Sequence, residues 1–390
     1  MTLPTLDDID VGGQTVLLRV DVNSPLDPET LDILDTSRIE RIVPTVNELL
    51  DRNARVAVLA HQGRPGGWDF TALGQHAAAL STMLDRAVGY ADDVYGDEAQ
   101  QAIVSLDDGE AVMLGNVRMY DGERDSKAAE EHARSDLVQS LYPLADLFVN
   151  DAFAAAHRSH CSMVGFTAVL PSYAGRLMEK EIRMLTRLTE QPEHPSVYLF
   201  GGAKYGNAIP VIHNLLDRGA ADTVLLGGVP GNAFAGLADV DPDEREAIAS
   251  LLDDHGDAIV LPADVAVDDD GRTVVSIDDV ADPGMVKDIG PDTITRFADV
   301  VNEAATVLLT GPMGVFEEEA FSVGTQAMLE AMVASGAFTV IGGGHTVAAA
   351  RQYGLADGVS YVSTGGGSLE RFLMGKPLPA VAALERCTKR

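Results

Sequence analysis

The residues best suited to chemistry in the first half of the chain are arginines placed where short apolar runs end or the next helix begins. Five share this placement: Arg19, Arg38, Arg64, Arg118 and Arg158. Asp21 and Asn23, which can hold a hydroxyl group, lie among them. The formal net charge of the chain is −32, so these cations stand out against an acidic background. Because a guanidinium group binds phosphate or carboxylate through two parallel hydrogen bonds, the arginines predict a pocket for a small polyanion.

Glycine clusters take the place of the arginines in the second half of the chain. They begin close behind apolar runs, at Gly201, Gly227, Gly311, Gly342 and Gly365. Ligands of open α/β sheets bind beyond the carboxyl ends of the strands, where glycine lets the backbone approach a phosphate. Clusters at several equivalent places therefore predict a phosphate-bearing ligand. Neither G-x-x-x-x-G-K-[ST] nor G-x-G-x-x-G occurs, and the second absence speaks against a dinucleotide-dependent dehydrogenase.

The elements that must position these residues are short apolar runs that alternate with helix-period segments. This alternation predicts an α/β fold with parallel sheets. A chain of 390 residues exceeds what one core usually supports, so we predict two Rossmann-like lobes, 1–170 and 191–377, joined by a hinge helix at 171–190. The expected elements of the first lobe are strands Val16–Val20, Arg55–Ala60, Ala111–Leu114 and Leu147–Asn150, with helices Arg38–Asp51 and Leu73–Val88. The expected strands of the second lobe are Val197–Phe200, Thr223–Leu226, Ala258–Leu261, Thr306–Leu309, Phe338–Ile341 and Tyr361–Ser363.

The charge of the chain restricts its partners and its surroundings. A net −32 repels phosphate backbones, so we expect no nucleic acid among the partners. Only six of the 28 Lys and Arg residues are lysines. An acidic, lysine-poor surface suits molar salt, where the Debye length falls to about 3 Å and only contact-range pairing survives. The composition therefore predicts a halophilic protein, with a merely acidic mesophilic one as the alternative.

The compartment follows from what the sequence lacks. Two cysteines cannot build a disulfide framework, and the first ten residues contain neither a basic region nor an apolar run. The stretch Ala331–Ala350 carries no charged residue, but the glycines at Gly342–Gly344 favour strand, turn and helix over a membrane span. We expect a cytoplasmic protein, monomeric and without a membrane partner.

Six motifs, in order along the chain, resemble those of phosphoglycerate kinases. They are RVDVNSP at Arg19–Pro25, HQGRP at His61–Pro65, NDAFAAAHRSH at Asn150–His160, GGAK at Gly201–Lys204, GPMGVFE at Gly311–Glu317 and STGGG at Ser363–Gly367. The resemblance implies reversible phosphoryl transfer between ATP and 3-phosphoglycerate, with Mg²⁺ accompanying ATP or ADP. It places 3-phosphoglycerate on the N-terminal lobe and nucleotide on the C-terminal lobe. It also implies that the tail, 378–390, packs back on the N-terminal lobe.

The resemblance assigns roles residue by residue. Arg38, at the reacting carboxylate, and Lys204, near the transferring phosphate, would be the catalytic charges. The substrate would be bound by Asp21, Asn23, Arg38, His61, Arg64, Arg118 and Arg158. The nucleotide would be bound by Lys204, Glu317, Gly343, Gly344, His345 and Thr346. Because the acceptor carboxylate is already ionised, phosphoryl transfer needs no general base, and we expect His61, His157 and His160 to bind ligand or support structure.

Departures from the family pattern occur in both halves, at Gly115 and Ala154 in the first and at Ala208, Thr310 and His345 in the second, and they leave the N-terminal site intact. Many members carry a second lysine where this chain has Ala208, and an aspartate that serves magnesium where it has His345. These changes resemble the archaeal branch of the family, and they leave the magnesium ligands unknown. They also keep open one alternative, a non-catalytic protein that retains only the substrate lobe. The other alternative, a different two-domain α/β enzyme such as a dehydrogenase, conflicts with the missing dinucleotide motif.

Overall fold

The computed structural model describes residues 3–387. The chain divides into two compact units. Unit 1 contains the residues up to Ile182 together with those from Pro377 onward, and unit 2 runs from Arg183 to Lys376. Each unit is built on a parallel sheet, which confirms the predicted α/β class.

Unit 1 has a six-stranded sheet among its described residues, with the strand order β3-β4-β2-β1-β5-β6. The strands are β1 Thr15–Arg19, β2 Arg55–Leu59, β3 Val88–Tyr90, β4 Ala111–Met113, β5 Leu147–Asn150 and β6 Ser172–Ala174. The helices are α1 Ser37–Asp51, α2 Gly74–Leu84, α3 Asp97–Val104, α4 Ala129–His132, α5 Asp136–Leu141, α6 Cys161–Val164 and α7 Arg176–Glu190. The boundary between the units falls within α7.

The sequence of β1 explains why it lies at the centre of this sheet. All five residues of Thr15–Arg19 are buried, because helices cover both faces of a parallel sheet. Val16 and Leu18 belong to one hydrophobic core, while Leu17 belongs to the core on the opposite face. Strand order reverses beside β1, between β1 and β5, and such switch points are where ligands of open α/β sheets bind.

Unit 2 repeats this plan and adds a second sheet. Its parallel sheet has the order β15-β14-β13-β7-β8-β9, and the order reverses between β13 and β7. The parallel strands are β7 Ser196–Phe200, β8 Thr223–Leu226, β9 Ile259–Val260, β13 Thr306–Thr310, β14 Phe338–Gly342 and β15 Tyr361–Val362, and the antiparallel ones are β10 Asp264–Asp268, β11 Arg272–Ser276 and β12 Val286–Ile289. The helices are α8 Ala208–Asp217, α9 Gly228–Phe234, α10 Pro242–His255, α11 Pro291–Asn302, α12 Val323–Ala334, α13 Gly344–Gln352 and α14 Gly367–Leu373.

The structure differs from two sequence-based expectations and contains one sheet that was not expected. The hinge helix predicted from 171 begins only at Arg176, because Ser172–Ala174 pairs with β5 as an edge strand. The helix predicted to reach Val88 ends at Leu84, since Asp85 adopts the left-handed conformation and the chain turns into β3. The antiparallel sheet of unit 2 was not anticipated, because β11 is largely exposed and β12 carries two charged residues, Lys287 and Asp288, in place of a continuous apolar run.

The last described helix, α15 Pro379–Cys387, packs within unit 1. The backbone N–H of Ala380 donates to the carbonyl oxygen of Ala156, and Val381 and Leu384 are buried. Residues 388–390 of the predicted tail lie outside the described residues. Among residues 3–387, no helix is both long enough and apolar enough to cross a membrane.

Candidate functional site

The carboxyl end of β1 places Asp21 and Asn23 beside Arg38. Arg38, in the first turn of α1, donates from Nη1 to Asp21 Oδ2 at 2.9 Å. The backbone N–H of Asn23 donates to the other carboxylate oxygen at 3.0 Å. Burial raises the pKa of Asp21, but Arg38 and the neighbouring His61 lower it more strongly, to about 2. Asp21 is therefore an anion at any physiological pH, held in one orientation.

The loop after β2 joins this group through its backbone. Asn23 Oδ1 accepts a hydrogen bond from the Gly63 N–H at 2.8 Å, and Arg118 donates to the Gly63 carbonyl oxygen. Asn116, which precedes Arg118 in the loop after β4, donates to the carbonyl oxygen of Gln62 at 2.8 Å. The loops after β1, β2 and β4 are thus bonded to one another, which brings His61 and Arg118 to the end of β1.

Crowding of like charges marks the arginines as one cluster. Burial, together with the charges of Arg158 and Arg19, lowers the pKa of Arg118 to about 10. Burial and then the charge of Arg64 lower the pKa of Arg158. Cations that disfavour each other's charge create a positive potential that an anion relieves. The side chains predicted to bind substrate thus lie together, and we call them the arginine site. They are Asp21, Asn23, Arg38, His61, Arg64, Arg118 and Arg158.

Arg19 differs from the other four arginines. Its residue surface is only 1% exposed, and its donors are engaged inside the protein. Nε donates to Ser162 Oγ at 2.8 Å, Nη1 donates to the Val20 carbonyl oxygen, and Nη2 lies 3.1 Å from His61 Nδ1. The sequence grouped Arg19 with the ligand-facing cations, and the structure corrects this because Arg19 is buried behind them.

Sequence reasoning missed two buried residues that hold the arginine site from behind. Glu123 is fully buried and accepts from both the backbone N–H and the hydroxyl of Ser162, at 2.8 and 2.7 Å. Burial raises the pKa of Glu123, while Arg19 and the Ser162 hydrogen bonds oppose the shift. Neither residue stands at a strand end or in a recognisable spacing, so no local signal pointed to them.

A second buried group supports the loop after β2. Gln62 is fully buried, accepts from the Ser24 N–H at 2.9 Å and donates to the Ser24 carbonyl oxygen at 2.9 Å. His76, on α2, lies with Nε2 at 3.1 Å from the Gln62 side-chain oxygen. Burial lowers the pKa of His76 to about 4, so this histidine stays neutral at physiological pH.

The glycine clusters of unit 2 divide into two kinds. Gly201, Gly311 and Gly228 pack backbone against backbone: a Cβ on Gly201 would overlap the Pro312 carbonyl oxygen, and one on Gly228 would lie 2.9 Å from Gly202 N. By contrast, a Cβ on Gly344 or Gly366 would meet nothing within 4 Å. The first kind joins the loops after β7, β8 and β13, and the second kind leaves room for a ligand. The sequence had assigned all of them to ligand approach.

Two cavities open at this end of the unit 2 sheet. One, of about 330 Å³, is lined largely by apolar and backbone groups, among them Val229, Val286, Met313 and Glu317. The other, of about 290 Å³, is lined by glycine loops together with Lys204 and His345. His345 lines both cavities. The predicted nucleotide residues therefore lie along one continuous series of loops.

The predicted nucleotide residues are presented in different ways. Lys204 is exposed. Burial raises the pKa of Glu370, and the nearby charge of Lys204 opposes this shift. Glu370, which sequence reasoning did not select, also lines the smaller cavity. Thr346 is fully buried and its hydroxyl accepts from the Gly311 N–H at 2.8 Å, so it supports the loop with its side chain. Gly344, His345 and Thr346 form the first turn of α13, whose N–H groups favour phosphate.

The acidic side chains near these cavities do not form a metal cage. Within residues 3–387, no group of three or more His, Cys, Asp or Glu side chains is arranged to hold a metal ion. Glu318 is engaged by Lys287, with 2.8 Å between Oε2 and Nζ. Asp288, at the wall of the larger cavity, lies 3.4 Å from Arg272 Nη1. Glu317, Glu370 and His345 also lie at the cavity walls. Mg²⁺ usually keeps several waters and binds through phosphates with one or two carboxylates, and this sparse donor set is compatible with that habit.

The fold and the two sets of loops define a class, the two-unit α/β phosphotransferases. A cluster of arginines stands at the switch point of one parallel sheet, and glycine loops around cavities stand at the switch point of the other. The sequence model of the family described as phosphoglycerate kinase matches residues 6–376. The chain belongs to the phosphoglycerate kinase family.

Individual relatives agree with this assignment. The chain is 45% identical to the phosphoglycerate kinase of Methanothermobacter thermautotrophicus, covering 98% of this chain and 96% of the relative. It is 42% identical to that of Methanothermus fervidus, covering 99% and 98%. The crystal structure of phosphoglycerate kinase from Pyrococcus horikoshii OT3 is 35% identical, with a TM-score of 0.90 over 99% of this chain and 100% of that one. The recognised family is thus confirmed, as is its phosphotransferase activity, and the named relatives are archaeal.

Proposed function

We propose that the protein transfers a phosphoryl group reversibly between ATP and the carboxylate of 3-phosphoglycerate, giving ADP and 1,3-bisphosphoglycerate. The observation that carries this proposal is the arginine site, where clustered cations lower each other's pKa around a buried Asp21. A phosphate and a carboxylate on one small molecule supply the two anions that such a site favours. Asp21 and Asn23 supply the acceptors and donors that suit its hydroxyl group.

The arginines divide the work of holding the substrate. Arg64, Arg118 and Arg158, whose charges crowd one another, would grip the phosphate group together with His61. Arg38 is paired with Asp21. Arg38 would face the carboxylate that receives the phosphoryl group. The carboxylate is the nucleophile and is already ionised, so the protein has to position it and neutralise charge.

The unit 2 cavities suit a nucleotide. The cavity of about 330 Å³ falls within the size range of small-molecule pockets, and its apolar walls would hold the base, with Glu317 at the ribose. The smaller cavity would hold the phosphates along Gly343, Gly344, His345 and the N-terminus of α13. Lys204 would then stand beside the phosphoryl group in transfer.

Magnesium would enter with the nucleotide. His345 offers imidazole nitrogen, whereas Mg²⁺ prefers oxygen ligands, and Glu318 is already paired with Lys287. We therefore expect phosphate oxygens and water to provide most of the coordination. Bound in this way, magnesium would neutralise charge on the phosphate oxygens. Lys204 and the N–H groups of the glycine loops would neutralise the remaining negative charge.

The protein is also proposed to work in the cytoplasm at high salt, as a monomer. The support is the net charge of −32, with six lysines among 28 basic residues. Screening at molar KCl removes self-repulsion while contacts such as Arg38–Asp21 persist. Melting temperature and activity should both rise between dilute buffer and multimolar KCl. Equal melting temperatures in the two conditions would contradict the halophilic assignment.

A coupled assay tests the main proposal. Purified protein receives ATP, magnesium and 3-phosphoglycerate in high KCl, and formation of 1,3-bisphosphoglycerate is followed by its NADH-dependent reduction. Turnover that requires all three reagents is the expected result. Binding of 3-phosphoglycerate without turnover would instead identify a non-catalytic protein that keeps only the arginine site.

A further inference from the structure

The buried face of the arginine site contains a hydrogen-bonded series of which the proposed chemistry uses only His61. It consists of Glu123, Ser162, Arg19 and His61, and we call it the Glu123–His61 series. Its members come from four segments: the loop before α4, helix α6, the end of β1 and the loop after β2. Arg19 and Ser162 are 143 positions apart in sequence, and Ser162 and Glu123 are 39 apart.

The direction of each hydrogen bond in the series is fixed by chemistry. A guanidinium group only donates, so Arg19 Nε–H donates to Ser162 Oγ. Ser162 then donates its hydroxyl proton to Glu123 Oε1, and its backbone N–H donates to Oε2. At the other end, Arg19 Nη2 donates to His61 Nδ1 across 3.1 Å. Arg19 is thus a donor at both ends.

This direction decides the tautomer of His61. A nitrogen that accepts from Arg19 carries no proton, so in a neutral ring the proton must lie on Nε2. Burial lowers the pKa of His61 well below its ordinary value; Asp21 opposes this, and the charges of Arg19, Arg118 and Arg158 add to it. The ring is therefore neutral, with Nε2–H as its one donor.

We propose that Arg19 is a positioning residue that fixes His61 as the Nε2–H tautomer, and that Ser162 and Glu123 hold the guanidinium in the orientation this requires. His61 then gives the bound anion a hydrogen bond without adding another positive charge to a crowded site. Glu123 supplies the counter-charge that makes a fully buried arginine tolerable. The identity of that anion as 3-phosphoglycerate rests on the proposed function, whereas the tautomer does not.

The tautomer can be read directly in the ligand-free protein. Histidine labelled with ¹⁵N is incorporated into the full chain, and long-range ¹H–¹⁵N spectra are recorded between pH 6 and 9. The signals of His61 are identified among the nine histidines by their loss in His61→Gln. The expected pattern is an unprotonated Nδ1 and a protonated Nε2 that do not titrate over this range. A protonated Nδ1 in the wild-type protein would overturn the proposal.

Variants along the series separate positioning from general structure. Arg19→Lys keeps the charge but lacks the fork that reaches His61 and Ser162 together. His61 should then show averaged ¹⁵N shifts, and KM for 3-phosphoglycerate should rise about tenfold, the scale of one lost hydrogen bond to a charged group, with KM for ATP unchanged. An unaltered His61 pattern in folded Arg19→Lys protein would refute the role of Arg19.

Two milder variants keep the test decisive if Arg19→Lys does not fold. Ser162→Ala and Glu123→Gln should each shift His61 toward mixed tautomers, since the guanidinium loses its anchor. Ser172→Ala is the matched control, because Ser172 is equally buried in unit 1 and its hydroxyl donates to the Leu170 carbonyl oxygen outside the series. If neither Ser162→Ala nor Glu123→Gln changes His61, the series has no positioning role.

The outcomes also separate this inference from the proposed function. A wild-type protein that shows the Nε2–H pattern but no turnover would contradict the proposed reaction and leave the tautomer assignment intact. A protein that turns over substrate while His61 carries its proton on Nδ1 would support the proposed reaction and contradict the tautomer assignment.

Discussion

The two units differ in the groups that are proposed to bind phosphate: side chains in unit 1 and mainly backbone in unit 2. The arginine site of unit 1 is made of side chains, and several of them are buried. Asp21 accepts from Arg38, and Arg118 donates to the Gly63 carbonyl oxygen. The phosphate-binding loops proposed for unit 2 are made mainly of backbone, and the lysine among them is exposed. A side-chain site is vulnerable to loss of single functional groups. A backbone site is instead sensitive to an added side-chain atom at a packed glycine, because that atom would push the loops apart.

The difference also shows where each unit tolerates sequence change. Ala208 and His345 depart from the common family pattern in unit 2, and both lie at the wall of a cavity rather than inside a bonded network. In the arginine site, each of the loops after β1, β2 and β4 is bonded to another, so one substitution disturbs several contacts. Departures are therefore easier to accommodate in unit 2.

The largest effect is expected for Arg38→Ala. Its charge is proposed to face the carboxylate during transfer, and its loss also removes the partner of Asp21, so kcat should fall by about 10³-fold, at the upper end for one transition-state donor. Steady-state kinetics with both substrates saturating measure this. Arg41→Ala, one turn further along α1, removes the same charge and should keep nearly normal turnover. Normal kcat in Arg38→Ala would show that unit 1 only binds substrate.

In unit 2 the strongest functional loss is expected for Lys204→Ala. Removal of this one charge should lower kcat at least about 100-fold, because the other groups proposed along the phosphates are mostly backbone. His345→Ala, which changes the wall of the same cavity, should lower kcat much less. A fully active Lys204→Ala enzyme would mean that backbone groups alone neutralise the transferring group.

The backbone character of unit 2 predicts a loss of stability for Gly201→Ala. The added Cβ would overlap the Pro312 carbonyl oxygen, and backbone atoms cannot rotate away, so unfolding should become easier by roughly 2–3 kcal/mol. Gly344→Ala is the control, because a Cβ there meets nothing within 4 Å. Chemical denaturation of both variants measures the difference. Equal stabilities would show that the loops after β7 and β13 are not tightly packed.

The smallest effect concerns two buried carboxyl groups, one in each unit. Burial raises the pKa of Asp151 to about 6 and that of Asp288 to about 6. A raised folded-state pKa means that stability is fully present below the unfolded value and is lost as pH rises through about 6. Asp151→Asn keeps the oxygen that accepts from the Met178 N–H, so it should stabilise the protein by about 1–2 kcal/mol at pH 8.

The pH dependence supplies the control for this prediction. The advantage of Asp151→Asn should shrink as pH falls toward 4, where the wild-type carboxyl group is protonated. Asp288→Asn should gain less, because Arg272 Nη1 lies 3.4 Å from Asp288 and loses an ionic partner in the variant. Melting curves of the three proteins at pH 5 and pH 8 test both statements. A gain for Asp151→Asn that is the same at both pH values would contradict the assigned cause.

Much of the architecture and of the arginine site could be predicted from the sequence. Continuous apolar runs indicated buried parallel strands, and parallel strands bring their carboxyl ends to one edge. Residues following different strands, such as Asp21, His61 and Arg118, were therefore expected together, and the structure brings them together. The antiparallel strands β11 and β12 could not be predicted in this way, because β11 is largely exposed and the apolar residues of β12 are separated by Lys287 and Asp288.

The sequence by itself determined which residue types stand at the strand ends, and with them the family. Only the tertiary structure decided which of those side chains are buried and which distant segments they contact. Arg19 is the last residue of β1 and Arg118 follows β4, yet Arg19 is bonded inside the protein to Ser162, which lies 143 positions away. Gly201 and Gly344 look alike in sequence, but only the first meets another loop. The reason is physical: strand periodicity is local, whereas burial and hydrogen-bond partners come from segments that are distant along the chain.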